Sequence, residues 1–323
     1  MTMKESLKES VTIMNNEHIP VLLNEVIEGL NIQKDGIYLD LTLGRAGHSS
    51  VILSKLSKKG LLIGVDQDED AIAKSDKRLQ EVGGNYKLFK TNFENVLNIL
   101  NQENIPYVDG VLMDLGVSSP QFDEADRGFS YKEDAPLDMR MDRSKSLTAQ
   151  EIVNTYSVDE LTKIFRDYGD EKFAYSIAKN IVKYRSNKPI ETTFDLVGII
   201  KASKPMKVLS KQGHPAKQAF QALRIAVNDE LNVLIKTLND IIPILRPHGG
   251  RLAVITFHSG EDRIVKNIFK EYAISIGNRH DGPIMNEEKE YRLVNTKPII
   301  ANEEELENNH RSASAKLRIL ERK

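Results

Sequence analysis

Three aspartates and one glycine turn hold the chemistry that the residue types of this chain allow. Asp40 lies in the apolar run Ile37–Leu43, Asp66 ends the run Leu61–Val65, and Asp114 ends Val108–Met113. Gly44-Arg-Ala-Gly47 follows the first run. Two residues without a Cβ let a backbone turn sharply and come close to a ligand. Asp66 stands 22 residues after Gly44. An acidic residue about 20 residues beyond a glycine turn binds ribose hydroxyls in nucleotide-type folds. An ordinary strand end ahead of a capped helix is the other reading of the same residues. The turn lacks the third glycine of the dinucleotide fingerprint and does not match the phosphate-binding loop pattern. A cofactor with ribose and adenine but no pyrophosphate suits it better, and S-adenosylmethionine is such a molecule. Asp40 or Asp114 would meet its ammonium, and Asp66 its ribose diol. Phe93, just past the run Tyr86–Lys90, would stack on the adenine or else fill the core.

Such residues need a parallel sheet to carry them. Ile37–Leu43, Leu61–Val65, Tyr86–Lys90 and Val108–Asp114 read as strands, alternating with helices at Ser49–Lys58, Asp68–Gln80 and Glu94–Gln102. A helix over His18–Leu30 precedes them, and Arg251–Phe257 and Lys316–Glu321 read as later strands. Arg263–Tyr272 reads as a helix and Asn278–Asn295 as a loop. From Asp114 to Arg251 the chain advances 137 positions, whereas a crossover needs about a dozen residues and upward. One helix, from Leu223 to Ile241, completes the crossover, so something is inserted before it. The insertion has a helical pattern over Glu151–Tyr156, Val158–Asp167, Glu171–Tyr184 and Thr193–Ala202, with Asp170 and Thr193 placed as N-caps or first-turn residues. The expected fold is an α/β, Rossmann-like S-adenosylmethionine-dependent methyltransferase sheet carrying a small helical domain. Its expected parts are a loose extension over 1–16, a core over 17–128 and 214–323, and the insertion over 129–213.

Composition narrows the classes. The 323 residues contain no cysteine, which removes disulfides, thiolate metal sites and a cysteine nucleophile. No apolar run approaches a membrane span. Net charge is −2, but it is unevenly spread. Ten Lys or Arg lie between Lys172 and Lys217, opposed there only by Glu191 and Asp195, so the segment carries +8 and the rest of the chain −10. Such a segment is a footprint for a polyanion or, in the plainer reading, a set of solvated helix faces. Lys183, Arg185, Lys188, Lys211 and Lys217 are its candidate contacts to such a polyanion.

Longer motifs add a resemblance. His18-Ile-Pro-Val-Leu-Leu-Asn-Glu-Val26, Leu43-Gly-Arg-Ala-Gly-His-Ser49, Asp114-Leu-Gly-Val-Ser-Ser-Pro-Gln121, Gly128-Phe-Ser130, Leu137-Asp-Met-Arg-Met-Asp142, His214-Pro-Ala-Lys217, Phe220-Gln-Ala-Leu-Arg-Ile225 and Phe257-His-Ser-Gly-Glu-Asp262 strongly resemble the bacterial ribosomal small-subunit methyltransferase H family, also called MraW. The resemblance implies a cytoplasmic enzyme that methylates N4 of a cytidine in the decoding region of 16S ribosomal RNA. It implies cofactor contacts at Ala46, Gly47, His48, Asp66, Phe93, Asp114 and Gln121. It implies the small ribosomal subunit as partner, with no membrane and no structural metal, and leaves a homodimer open. Many amino-methyltransferases carry Asp or Asn followed by Pro-Pro and an aromatic residue, whereas this chain has Asp114-Leu-Gly-Val-Ser-Ser-Pro. Asp114, Ser118 and His258 are therefore candidates for the amine's hydrogen-bond acceptor, with none assigned. The rival class is a small-molecule methyltransferase with the insertion as substrate lid.

Overall fold

Continuously buried apolar strands build a sheet with two packed faces. The structure, a computed structural model, describes residues 20–116, 124–210, 213–274 and 289–323. Strands β1 (Ile37–Asp40), β2 (Leu61–Asp66), β3 (Tyr86–Lys90), β4 (Gly110–Asp114) and β5 (Arg251–Thr256) are parallel. Strand β7 (Lys316–Arg322) runs antiparallel between β5 and β6 (Tyr291–Leu293), in the order β3-β2-β1-β4-β5-β7-β6. Successive strand residues point to opposite faces. Leu39, Ile63, Val111, Met113, Leu252 and Val254 share one core with helices α4 (Val96–Gln102), α11 (Glu230–Ile241) and α12 (Ser259–Ala273). Tyr38, Leu62, Leu112, Ala253 and Ile255 share the other with α1 (Leu23–Leu30), α2 (Gly47–Lys55) and α3 (Glu69–Val82). The chain steps outward from β1 to β3 and then returns to β4 on the other side of β1. Ligands bind at the carboxyl ends of the strands beside such a reversal.

The chain forms two compact units, Met1–Gly116 with Val233–Lys323, and Val117–Asn232. The second contains helices α5 (Ala149–Thr155), α6 (Val158–Gly169), α7 (Ala174–Arg185), α8 (Thr193–Ala202), α9 (Met206–Leu209) and α10 (Lys217–Asn228). Its core, from Phe129 to Val227, is drawn from its own residues. Ser157 with Glu160 and Thr192 with Asp195 form capping boxes that start α6 and α8. Inside it, Lys204 is buried against Glu171 (2.5 Å) and also donates to the Pro215 carbonyl (2.7 Å).

Several elements differ from the sequence reading, each for a local reason. The unit is wider than 129–213, and on its C-terminal side the difference is α10, which belongs to it. The single crossover helix is two helices, α10 and α11, broken at Asp229 in the left-handed region (φ 53). The apolar repeat continues through the break, but Leu223 and Val227 serve the helical core while Leu234, Leu238 and Ile241 serve the sheet. Buried Asn228 fixes the break by donating to the Met139 and Arg224 carbonyls and accepting from the Met141 N–H. Asp170 does not cap α7. It closes α6 in the left-handed region (φ 49), and α7 starts at Ala174. Thr193 is the first residue of α8, the first-turn place that the sequence reading allowed it, and Thr192 is the cap. Helix α1 starts at Leu23 rather than His18, after Leu22 at φ 53, whose N–H donates to Glu305 (2.7 Å). Strand β6 lies in the stretch expected to be a loop. It is three residues long, and its Arg292 pairs with Glu321 on β7 (2.7 Å). The 1–16 extension lies outside the described residues.

Candidate active site

The glycine turn joins the carboxyl end of β1 to the first turn of α2. Gly44 takes the left-handed conformation (φ 53), and so does Ala46 (φ 56), which is fully buried. An alanine held there stores about 1 kcal/mol or more of strain. Gly47 is needed for a different reason from the one its sequence suggests. It opens α2 with ordinary φ, and a Cβ there would stand 2.6 Å from Pro20 Cγ. Close packing, not turn geometry, demands glycine.

Asp66 holds this turn in place. Its Oδ2 accepts the Gly44 N–H (2.8 Å) and its Oδ1 the Asp68 N–H (2.9 Å). Burial outweighs those two bonds and pushes its carboxyl up to about 6. Each oxygen keeps a further lone pair for a ligand hydroxyl. The capping role belongs to Asp68, whose side chain accepts from Asp70 N–H at the start of α3. The two readings left open for Asp66 therefore separate: the cap is its neighbour's.

Asp40 and Asp114, both candidates for an ammonium, have unlike surroundings. Asp40 is buried, and its oxygens accept from the Ser49 hydroxyl (2.6 Å) and the Thr42 N–H (3.2 Å), tying β1 to α2. Burial raises its pKa. The buried Oδ1 of Asp114 has no hydrogen-bond partner among the described residues. Burial, with repulsion from Asp40 and Glu261, pushes this carboxyl up to about 8. Its backbone N–H donates to Thr42 Oγ1 (2.6 Å), so Thr42 is bonded to both strand ends. His48 lies beside it, with Nδ1 3.9 Å from Asp114 Oδ2. Nε2 of His48 is 2.9 Å from the Val21 carbonyl, so it carries the proton. Burial lowers its pKa to about 4, which makes the ring neutral at pH 7. Phe93 opens a short 3₁₀ turn after β3, half-buried against the core, behind the cap provided by Asn92.

At the end of β5, His258 is the N-cap of α12. Its Nδ1 accepts from the Glu261 N–H (3.4 Å), and its Nε2 lies 3.1 Å from Glu261 Oε1. Both ring nitrogens face Glu261, so this candidate for the amine's acceptor is turned toward its own helix. Glu261, almost fully buried, also accepts from the Phe257 N–H (2.8 Å). Glu261 was missed as an electrostatic neighbour of Asp114. An acid in the first turn of a helix reads as a capping residue in sequence, and the strand register that brings β5 beside β4 is not written locally. Ser118 and Gln121 lie outside the described residues.

These residues fit S-adenosylmethionine. Two buried carboxylates, Asp40 and Glu261, and the half-buried Asp114, whose Oδ1 has no hydrogen-bond partner among the described residues, call for a cation, and that cofactor has an ammonium and a sulfonium. Asp114 rather than Asp40 has an oxygen to give, while Asp66 is suited to a diol and Phe93 to an adenine.

The candidate RNA contacts in the helical unit differ among themselves. Lys183 and Lys217 are exposed. Arg185 donates to the Val153 carbonyl (2.8 Å), and Lys188 is 3.6 Å from Asp195. Glu171, one position outside the segment summed above, neutralises Lys204. The charge open to a polyanion is thus smaller than the sequence sum. Lys211 lies outside the described residues.

The family model described as the MraW methylase family matches residues 15–323. The chain is 53% identical over 311 residues to a ribosomal RNA small subunit methyltransferase H of Clostridioides difficile, an alignment covering 96% of this chain and 100% of that protein. It is also 53% identical over 311 residues to the protein of the same name from Mesoplasma florum, covering 95% and 99%. The counterpart in Halothermothrix orenii is 49% identical over 308 residues, covering 95% and 98%. A glycine turn pinned by Asp66, an uncompensated acid at the end of β4 and a profile match over nearly the whole length lead to one conclusion: the chain belongs to the MraW methylase family.

Proposed function

We propose that this chain transfers the methyl group of S-adenosylmethionine to the N4 amine of a cytidine in the decoding region of 16S ribosomal RNA, acting in the cytoplasm. The observation that carries the cofactor side is Asp114, a half-buried carboxylate whose buried Oδ1 has no hydrogen-bond partner among the described residues. Near-full-length similarity to proteins named ribosomal RNA small subunit methyltransferase H supports the substrate side. Among the described residues no helix is long and apolar enough to cross a membrane.

S-adenosylmethionine, when bound, supplies an electrophilic methyl group on a sulfonium. The residues of the chain then have the task of alignment, because positioning two reactants replaces much of the entropic barrier. Asp66 would take the ribose diol with the lone pairs that Gly44 and Asp68 leave free. Asp114, ionised, would neutralise the ammonium, and neutral His48 beside it adds no competing positive charge. Phe93 would offer its ring to the adenine. A cytosine amine is a poor nucleophile because its lone pair is delocalised, so a hydrogen-bond acceptor at the amine would favour the reactive geometry.

RNA would meet the helical unit along α7. Tyr175 (60% exposed), Lys179 and Lys183 recur at intervals of four residues and lie exposed on the same face. Cations interleaved with an aromatic ring suit single-stranded RNA, whose bases stack while the phosphates pair. The deciding experiment is labelled methyl transfer onto small subunits from a strain lacking the protein, with the modified nucleoside mapped. N4-methylated cytidine at one position is the expected product. Turnover on a small molecule without RNA, or none on any subunit, would overturn the proposal.

A further inference from the structure

A cavity of about 210 Å³ opens beside α12, lined also by Leu293 of β6 and by Arg318 of β7. Its charged lining among the described residues is entirely cationic. Lys266 and Lys270 lie one turn apart on α12, Lys297 comes from the connection after β6, and Arg318 forms the inner wall. Arg318 is held in place by Asp262, with Nε 2.7 Å from Oδ1. Lys266, Lys270 and Lys297 form no ion pair with any described residue. Leu293 and the nearly buried Phe269 add an apolar side.

Charge of one sign focused in a concave site raises the local concentration of the opposite ion. The setting sharpens this, because the chain outside 172–217 sums to −10. A gap of about 210 Å³ equals a cube roughly 6 Å on edge, too small for a helix about 10–12 Å across. An extended polyanion with one apolar group per charge fits instead. We propose that this cavity binds a phosphodiester of the substrate RNA, a second anchoring point on the sheet unit additional to the basic helices. The inference rests on the RNA-methylating reading above, and it adds a contact that this reading does not require.

The test measures binding and needs no turnover. A fluorescent single-stranded fragment of 16S ribosomal RNA containing the decoding region is titrated with full-length chain over a series of salt concentrations. Lys266→Glu with Lys270→Glu should weaken binding about tenfold or more. It should also flatten the slope of log affinity against log salt by about 1.4, since each phosphate contact to a single strand contributes about 0.7. Lys297→Glu, on a separate segment, should reproduce part of the loss, which guards against a local folding defect in α12. Cofactor affinity by calorimetry should not change. Unchanged RNA affinity and salt slope in both variants would overturn the proposal. So would loss of inorganic phosphate binding with RNA affinity intact, since the cavity would then take a free anion. If the wild-type chain binds the RNA but methylates no subunit, the enzymatic reading fails while the binding comparison still decides this one.

Discussion

At the scale of single residues, Asp114 couples the site to pH. Its carboxyl is raised to about 8, so the empty protein holds a proton there that the unfolded chain has lost above about pH 4. That protonation stabilises the fold fully below the unfolded value, and the contribution is lost as pH rises through 8. A cationic ligand favours the ionised form, so its binding expels the proton. Affinity for S-adenosylmethionine should therefore rise by up to about tenfold per pH unit between pH 6 and 8 and level off above. Asp114→Asn should abolish that slope, weaken binding, and stabilise the ligand-free protein at pH 8. Calorimetry and thermal melting across the range check all three. Asp66→Ala removes the acceptor for two ribose hydroxyls and for the Gly44 and Asp68 amides. At about 1.5 kcal/mol or more per hydrogen bond to a charged group, cofactor affinity should fall by about a hundredfold or more in the same assay.

At the scale of elements, two close contacts set how parts of the chain are joined. Gly47→Ala places a methyl group 2.6 Å from Pro20 Cγ. Overpacking of this kind costs about 1–3 kcal/mol, to be read as a lower midpoint in urea, and Pro20→Ala in the same chain should recover part of it. In the helical unit, the buried pair Lys204–Glu171 links the turn before α7 to the segment after α8. Lys204→Ala leaves a buried carboxylate unpaired, so stability should fall by about 3–5 kcal/mol, while replacing both partners by Met and Leu should cost far less. RNA affinity of the double variant should equal that of the wild type, because Lys204 is spent inside the protein and does not face solvent.

At the scale of the whole molecule, the insertion is a folding unit with its own core. All the buried residues of that core lie between Phe129 and Val227. A fragment spanning 117–232 should melt cooperatively with the circular dichroism of a helical protein. A non-cooperative, largely unfolded fragment would show that this core needs the rest of the chain. The sheet unit in turn closes across a long gap, since β4 and β5 pair from Gly110↔Arg251 to Asp114↔Ile255, with the helical unit between them in sequence.

Six of the seven strands of the sheet, the glycine turn and most helices were legible in the sequence, because their signals are local. Apolar runs mark strands buried on both faces, and apolar residues at helical spacing mark helices. Asp66, Phe93 and Asp114 were legible for the same reason, since each follows an apolar run. What sequence left open depends on partners far along the chain. The break at Asp229 hides inside an unbroken helical repeat, because the apolar period is the same whether one core or two receive it. The choice between Asp40 and Asp114 rests on Ser49 and Thr42 saturating one carboxylate, and the influence of Glu261 rests on strand register. Burial and pairing belong to the assembled fold, so only the tertiary structure decided which acid keeps an oxygen without a partner among the described residues.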